Sequence, residues 1–494
     1  MQRLAYALKT LWSVLRNPIA RLEWFVAGGV LLFGLLFIAA IPPMQGGDES
    51  NHFLRAYQIS QGNIIADRVG ESRGGIATFM QYFDHNVGGQ IPKGVADFTY
   101  DAFDDLPQHY TYKMNAEDFK RLTQYKDGGS ETTGSAFGNT AAWSPVAYIP
   151  QLLAIWLGQL FNAPPLALMY MARLAGLLFA TVMVFFIIRL MPFGKLIMAV
   201  LILMPMTISQ FAIVSADATS YVFAFMIVAL TLHMAFRDKP LSRKDLILLG
   251  ATFIIMGCVK LSFLPLTLVA FALLANKHIA RKQAWLISGG LIGLTLIFGL
   301  AWNLLVKDLV VEGFHMSYPH NDYQAQLSYI LHEPWNFVRV LLNTFLTSNF
   351  NYVPTSFVGY FGWSDTPMPL LGVCAGVALL SLAVFVTAQH DTATIPKWLH
   401  WIGWVAIAGI VIGSSTYMYL FCNAPRDPFI VGSQGRYIIP AVPLLPLVFI
   451  GTKKLIRNDK YAVYARRCLY TSVILLVAMT FITFSRFYNV PAIL

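Results

Sequence analysis

The sequence predicts an all-α integral membrane protein with about eleven transmembrane helices and two large external loops carrying interfacial helices. Three observations predict it. Hydrophobic residues make up 56% of the 494-residue chain and charged residues only 12%, whereas a soluble protein carries about 25% charged residues. Apolar runs of bilayer-spanning length recur along the chain. Lysine and arginine gather at alternate ends of those runs, as the positive-inside rule requires. A soluble enzyme is thereby excluded. The surplus of ten positive charges reads as cytoplasmic loops touching anionic lipid, so no nucleic-acid partner is expected.

The elements follow in order. Residues 1–23 are a basic amphipathic cytoplasmic segment (Arg3, Lys9, Arg16, Arg21). No small-residue cleavage site precedes Pro42, so a removable signal is not expected. A first span at 24–41 delivers an external loop, 42–164, whose apolar run 145–161 lies along the interface or dips in and returns. Spans follow at 165–190, 196–214 and 218–236. Residues 246–275 have basic flanks on both sides, so they should form a tight hairpin of two short helices with Lys260 at its tip. Span 285–305 completes a module at 24–305. The second external loop, 306–366, holds Trp335, Tyr352 and Trp363 with an interfacial helix at 334–347. The C-terminal part, 367–494, holds spans at 367–388, 399–420, 436–452 and 468–486. The basic cluster Lys453, Lys454, Arg457, Lys460, Arg466 and Arg467 marks the cytoplasmic side.

This threading puts every unusual polar box on one face. Asp48-Glu49…His52…Arg55 follows the first span. If 48–59 is helical, Asp48, His52 and Arg55 fall at i, i+4 and i+7 on one side. Asn139, Asp217, Lys260, Asp365 and the Gln434-Gly435-Arg436-Tyr437 box lie at the same level. Carboxylates suit a general base, and cations at helix mouths suit a phosphate. Each box has a plainer reading. Asp48, Asp217 and Asp365 could cap helices or turns, Lys260 could snorkel, and Arg436 could anchor at the interface. Trp143, Trp335 and Trp363 suit an interfacial belt or a sugar platform equally. Cys258, Cys374, Cys422 and Cys468 have no metal or redox spacing and read as small buried hydrophobes. His315, His320 and Asp322 are too loosely spaced for a metal set and read as solvated loop residues.

In their order these boxes carry a resemblance. The chain resembles a large, long uncharacterised family of bacterial polytopic membrane proteins related to the C-type (GT-C) membrane glycosyltransferases. The likeness rests on Pro42-Pro43…Asp48-Glu49…His52…Arg55-Ala56-Tyr57, Asn139-Thr140-Ala141…Ser144-Pro145…Tyr148-Ile149-Pro150-Gln151 and Arg173-Leu174. It continues in Met204-Pro205…Ser215-Ala216-Asp217-Ala218, Lys260, Gly362-Trp363-Ser364-Asp365 and Gln434-Gly435-Arg436-Tyr437…Pro440. Ser50 and Asn51 replace the Pro-Ala common in that family.

The resemblance implies a GT-C-like fold in the bacterial cytoplasmic membrane with its active face external. It implies transfer of a sugar from a polyprenyl-phosphate donor to an envelope-glycan acceptor such as O-antigen, capsule or teichoic acid, with inversion. A donor synthase and a flippase would be partners. Asp48 is the expected base, with Glu49 assisting or holding a neighbour or metal. Arg436 and Lys260 would take the donor phosphate. His52, Arg55, Asn139, Asp217, Asp365, Gln434 and Tyr437 would bind or orient substrate. No cofactor is required and no metal ligand set is identified, although a divalent metal is compatible. A lipid-linked-sugar flippase and a non-catalytic envelope-assembly protein are the competing readings.

Overall fold

A computed structural model describes residues 16–69, 87–104, 111–318, 320–348, 350–451 and 460–489. Arg3, Lys9, Lys453, Lys454 and Arg457 lie outside the described residues, as does the side chain of His315. In chain order the helices are α1 (Leu22–Ala40), α2 (Glu49–Ser60), α3 (Lys93–Asp104), α4 (Ala116–Leu122), α5 (Ile149–Leu160) and α6 (Pro165–Leu190). Next come α7 (Lys195–Ile202), α8 (Pro205–Ala212), α9 (Ala216–Phe236), α10 (Arg243–Val259), α11 (Arg281–Ser317) and α12 (Tyr323–His332). The last are α13 (Pro334–Asn343), α14 (Tyr352–Val358), α15 (Leu370–His390), α16 (Lys397–Cys422), α17 (Leu445–Phe449) and α18 (Tyr461–Phe487).

Among the described residues seven helices are long and apolar enough to cross a membrane: α1, α6, α9, α11, α15, α16 and α18. Counting the bent pair α7 and α8 as one span makes eight. The other three expected runs, the two arms of 246–275 and 436–452, form shorter apolar segments here, and proline contributes to their shortness. Pro205 opens α8 after a 59° bend from α7. Pro265 lies inside the 3₁₀ segment Leu261–Ala275, and Pro440 and Pro443 inside the 3₁₀ segment Gly435–Leu444. Each proline removes a donor and clashes with the preceding turn, so these runs tighten and stay short.

The hairpin expected at 246–275 is present. Asn276 Nδ2 donates to Met234 O at 2.7 Å and Lys239 O at 3.1 Å, near the end of α9. Lys260, between α10 and the 3₁₀ segment, meets Asp217 at the other end of α9. The two arms therefore run out and back along α9, with Lys260 at the turn.

The two loops are more ordered than a loop reading allows. The first carries a three-stranded antiparallel sheet, β1 (Asp67–Arg68), β2 (Val87–Pro92) and β3 (Thr132–Ala136), in that spatial order, with Gly88 opposite both Asp67 and Ala136. The fold is thus mostly helical rather than wholly so. Phe53, Tyr57, Ile91, Phe98, Phe137 and Tyr148 form a second core beneath that sheet. Residues 306–317, expected in the second loop, continue α11 instead, because Lys307, Asp308 and Glu312 are compatible with helix. The expected interfacial helix at 334–347 is α13 followed by a π turn, Thr344–Ser348. Strands β4 (Tyr360–Phe361) and β5 (Thr366–Pro367) close a tight hairpin before α15. Of the cysteines, Cys422 and Cys468 are buried, Cys258 is intermediate, and Cys374 is exposed on the face of α15.

Beyond the region around Asp48, the first loop is fastened to α18 and to α11. Lys113 Nζ donates to the carbonyls of Ser485 and Arg486, both at 2.6 Å, and Met114 N to Phe487 O at 2.8 Å, which satisfies the end of α18. Trp302 Nε1 donates to Ala142 O at 2.8 Å, and Arg68 pairs with Glu312 at 2.7 Å. Next to Glu312 the backbones of Gly138 and Gly313 cross so closely that a Cβ on Gly313 would sit 2.7 Å from Gly138 Cα. Gly313→Ala should therefore cost about 1–3 kcal/mol by overpacking. Thermal unfolding of the purified variant checks this, and an unchanged melting temperature would show that the crossing tolerates a methyl group.

Candidate functional site

The chain leaves α1 and reverses through residues 41–48, and Asp48 is where it turns. Its φ of 58° lies in the left-handed region, which costs an L-residue roughly 1–2 kcal/mol but which Asp tolerates better than most. Asp48 occupies the N-cap position of α2, yet its side chain makes no capping bond. Its carboxylate is used elsewhere. Oδ1 accepts from Asn139 Nδ2 at 3.1 Å, and Oδ2 accepts from Arg436 Nη2 at 3.3 Å. Asn139 Oδ1 accepts in turn from Asn51 Nδ2 at 2.7 Å, so two amides in series aim the carboxylate.

A second acid–base pair lies beside the first. Ser215 caps α9, its Oγ accepting from Asp217 N at 3.0 Å. Capping is thus done by serine, and the Asp217 carboxylate is left to accept from Lys260 Nζ at 3.0 Å. The Lys260 ammonium faces three rings, Trp143 at 4.8 Å, Phe263 at 5.0 Å and Tyr437 at 5.1 Å, an arrangement that stabilises its charge. Arg436 stands over Tyr437 at 5.4 Å, and its Nε is buried without a hydrogen-bond partner. Tyr221 OH fixes the Arg436 backbone by donating to its carbonyl at 2.8 Å. The Asp48 side chain is 32% exposed, against 9% for Arg436, 8% for Asp217 and 17% for Lys260. Asp48 is therefore the open edge of a buried, charge-balanced cluster.

His52 lies under that edge, its Nδ1 2.6 Å from Tyr148 OH. Burial pushes the imidazole down to about 4, against the pull of the Asp48 and Asp217 carboxylates and with help from Arg436 and Lys260. It is neutral at physiological pH and can serve as a hydrogen-bonding group.

Other expected site residues are placed elsewhere. Glu49, expected to assist Asp48, forms a fully buried pair with Arg173: Oε1 accepts from Arg173 Nε at 2.7 Å and Oε2 from Nη2 at 2.6 Å. Its oxygens also take the amides of Val214 (2.9 Å) and Gly46 (3.0 Å), which leaves it saturated as an anchor. Arg55 does not share the Asp48 face, because the helix begins at Glu49 and Asp48 lies outside its register. Arg55 binds Gln58 Oε1 at 2.5 Å and Ile64 O at 2.6 Å, holding the chain beyond α2. Asp365 is tied to Arg486 at 2.8 Å and is buried, so it serves α18. Gln434 contributes its carbonyl to Tyr437 N at 3.1 Å, whereas Tyr437 faces both cations. Asp322 caps α12 by accepting from Ala325 N at 3.0 Å.

Asn51, Tyr148 and Arg173 stand in the sequence boxes, but spacing assigned none of them the role the structure gives it. For Arg173, an arginine well inside the apolar run 165–190, away from Arg189 at its end, was the available signal. The tryptophans, equivalent in sequence, separate here: Trp143 and Trp363 are half-buried around the site, while Trp335 is 83% exposed.

A family model described as "Predicted membrane protein (DUF2142)" matches residues 31–445. The chain belongs to this family. No curated protein and no solved structure matches it. The matched region begins inside α1 and ends after Arg436, so it contains both acid–base pairs of the cluster and the Glu49–Arg173 anchor.

Two predictions follow from this geometry. Arg173→Met leaves Glu49 charged and unpaired in the interior and should cost about 3–5 kcal/mol. Pairing it with Glu49→Gln should recover part of that loss in thermal unfolding. For His52, the imidazole pKa is about 4 when folded against the ordinary 6.5, so the unfolded chain binds the extra proton. Stability is highest above pH 6.5 and falls as pH drops toward 4, by roughly 3 kcal/mol from this group. Melting temperature against pH should flatten across that window in His52→Gln; an unchanged slope would place the titration elsewhere.

Proposed function

We propose that the chain is a membrane glycosyltransferase that moves a sugar from a polyprenyl-phosphate donor to an envelope-glycan acceptor. It would work in the bacterial cytoplasmic membrane, with its active end outward. The observation carrying this reading is one partly exposed carboxylate, Asp48, paired with the buried cation Arg436, whose Nε has no partner, beside a second buried pair, Lys260 with Asp217. A base beside a preformed anion site is what sugar transfer from a lipid phosphate requires.

In the proposed step, the acceptor oxygen attacks the anomeric carbon as Asp48 takes its proton. The bond from that carbon to the phosphate oxygen breaks, and the electron pair leaves on the phosphate. Arg436 and Lys260 stabilise that charge. A single displacement inverts the anomeric centre. Asn139 aims Asp48, and neutral His52 offers a hydrogen bond to a sugar or acceptor hydroxyl. A divalent metal at Asp48 is compatible with this reading. The proposed step uses none. The donor is supplied by a synthase that joins sugar to lipid phosphate and by a flippase that carries it across.

The experiment is sugar transfer by the purified protein in lipid, from a panel of polyprenyl-phosphate sugars to envelope-glycan acceptors, wild type beside Asp48→Asn. We expect transfer to fall by at least about 10²-fold while donor binding persists. Transfer that survives in Asp48→Asn would remove Asp48 as base. Donor binding without transfer to any acceptor would favour a lipid-linked-sugar flippase. The broken run through α7 and α8 and the 3₁₀ segments around the site are the features consistent with that reading. Absence of donor binding would favour an assembly protein.

A further inference from the structure

The region between α11 and α15 shows an apolar stripe that no described residue covers. Leu331 (68% exposed), Trp335 (83%), Val338 (42%), Leu342 (54%) and Leu346 (66%) recur at steps of four, three, four and four residues. Within α13, Trp335, Val338 and Leu342 therefore line one side, with Leu331 exposed at the end of α12 before the break at Glu333 and Leu346 exposed in the turn that follows. The opposite side is buried: Phe337 and Val340 pack with Tyr419 and Ile430, and the Phe337 and Tyr419 rings are 5.4 Å apart. A stripe of this kind in water would be an aggregation site; on a membrane protein it has a natural cover.

Its level in the molecule says which cover. Tyr419 lies in the last turn of α16, one of the candidate spans. Gln326 Nε2 donates to Tyr419 O at 3.1 Å, and Asn321 Nδ2 to Leu420 O at 2.8 Å, so α12 is held against the same end. The neighbouring span α11 shows its last strongly exposed leucines at Leu304 and Leu305 and turns polar at Lys307 and Asp308. The stripe thus sits where spans pass from apolar to polar surroundings, with a tryptophan among its residues as interfacial helices commonly have.

We infer that α13 and its flanking turns lie in the headgroup–acyl boundary of the bilayer, and that this lipid seat holds the segment carrying Arg436. The link is made by hydrogen bonds. Ile430 N donates to Thr344 Oγ1 at 2.8 Å, directly under the stripe, and Asn343 Nδ2 donates to Pro428 O at 3.3 Å. Gly435 N donates to Ser356 Oγ of α14 at 2.7 Å. A Cβ on Gly435 would lie 2.0 Å from Val353 O, so α14 and the Gly435–Arg436 backbone are in direct contact. Pro428 and Ile430 therefore rest on the lipid-seated unit and Gly435 on α14, while Val431 N between them donates to Asn423 Oδ1 at 3.1 Å at the end of α16; the unit thus holds the near end of the segment that leads to Arg436. This inference is independent of glycosyl transfer, since any anionic amphiphile reaching Arg436 would meet the same arrangement.

The test uses the full chain in lipid nanodiscs, with native cysteines replaced by serine and a nitroxide placed singly at Trp335, Val338, Leu342 or Leu346 through cysteine. Paramagnetic relaxation by oxygen should exceed that by an aqueous nickel chelate at all four positions, with the reverse at Lys120→Cys on the exposed surface of α4. Chelate access at all four would overturn the lipid seat. Protection from both reagents, with spin–spin broadening between copies, would show that a second copy covers the stripe and would overturn it equally. The coupling is read by hydrogen exchange. In Leu342→Glu/Leu346→Glu the amides of 430–437 should exchange at least about tenfold faster, while Leu342→Ile/Leu346→Ile stays as wild type. Unchanged exchange at 430–437 in a glutamate variant that still folds would overturn the coupling and leave α13 as a passive anchor.

Discussion

The structure around Asp48 depends on one buried ion pair. Arg173 enters from the middle of α6 and Glu49 from the first turn of α2, and neither side chain has exposed surface. Arg173 also donates to the carbonyls of Ile41 at 2.6 Å and Pro42 at 2.8 Å, where α1 runs out of helical partners. Glu49 gathers the amides of Gly46 and Val214. One pair therefore satisfies the end of the first span, the turn after it and the approach to α9. Two charges so deep in the protein are tolerable only because every lone pair and proton is engaged. With Glu49 pinned, Asp48 has no freedom to follow the helix and is left in the left-handed region facing Asn139 and Arg436. Strain of this sort persists where the surroundings over-determine it.

The interruptions in the apolar segments serve the same end. A continuous helix buries its own polar backbone and carries side chains across the membrane, whereas a broken one opens its ends. The break at Lys260 delivers an ammonium to Asp217, and the 3₁₀ start at Gly435 delivers a guanidinium to Asp48. Three aromatic rings around Lys260 lower the cost of holding that charge away from water. The seven long candidate spans among the described residues are single helices, while the breaks at Lys260 and Gly435 meet where the charges are.

Much of this was legible beforehand, and for physical reasons. Hydropathy and basic flanks located the spans because bilayer thickness and the positive-inside rule act on sequence directly. The basic ends of 246–275 and the single Lys260 between them sufficed for the hairpin. The span count was less secure, because a run such as 196–214 has the composition of a span and only the geometry around Pro205 bends it. The first loop's sheet was missed because its strands are short, glycine-rich and lie far apart in the chain, so no local period marks them.

Composition and spacing could bring Asp48, Glu49, Asp217, Lys260 and Arg436 to one face, since topology alone fixes which end of a span a residue occupies. They could not tell two adjacent carboxylates apart. That distinction rests on partners 124 and 388 residues away, Arg173 for Glu49 and Arg436 for Asp48. It also removed Arg55 and Asp365 from the cluster, each claimed by hydrogen bonds of its own. Which acid is anchored and which stays open is a matter of long-range charge pairing in a low-dielectric interior, where each buried charge must find a partner. No local pattern encodes that, and the tertiary structure decided it.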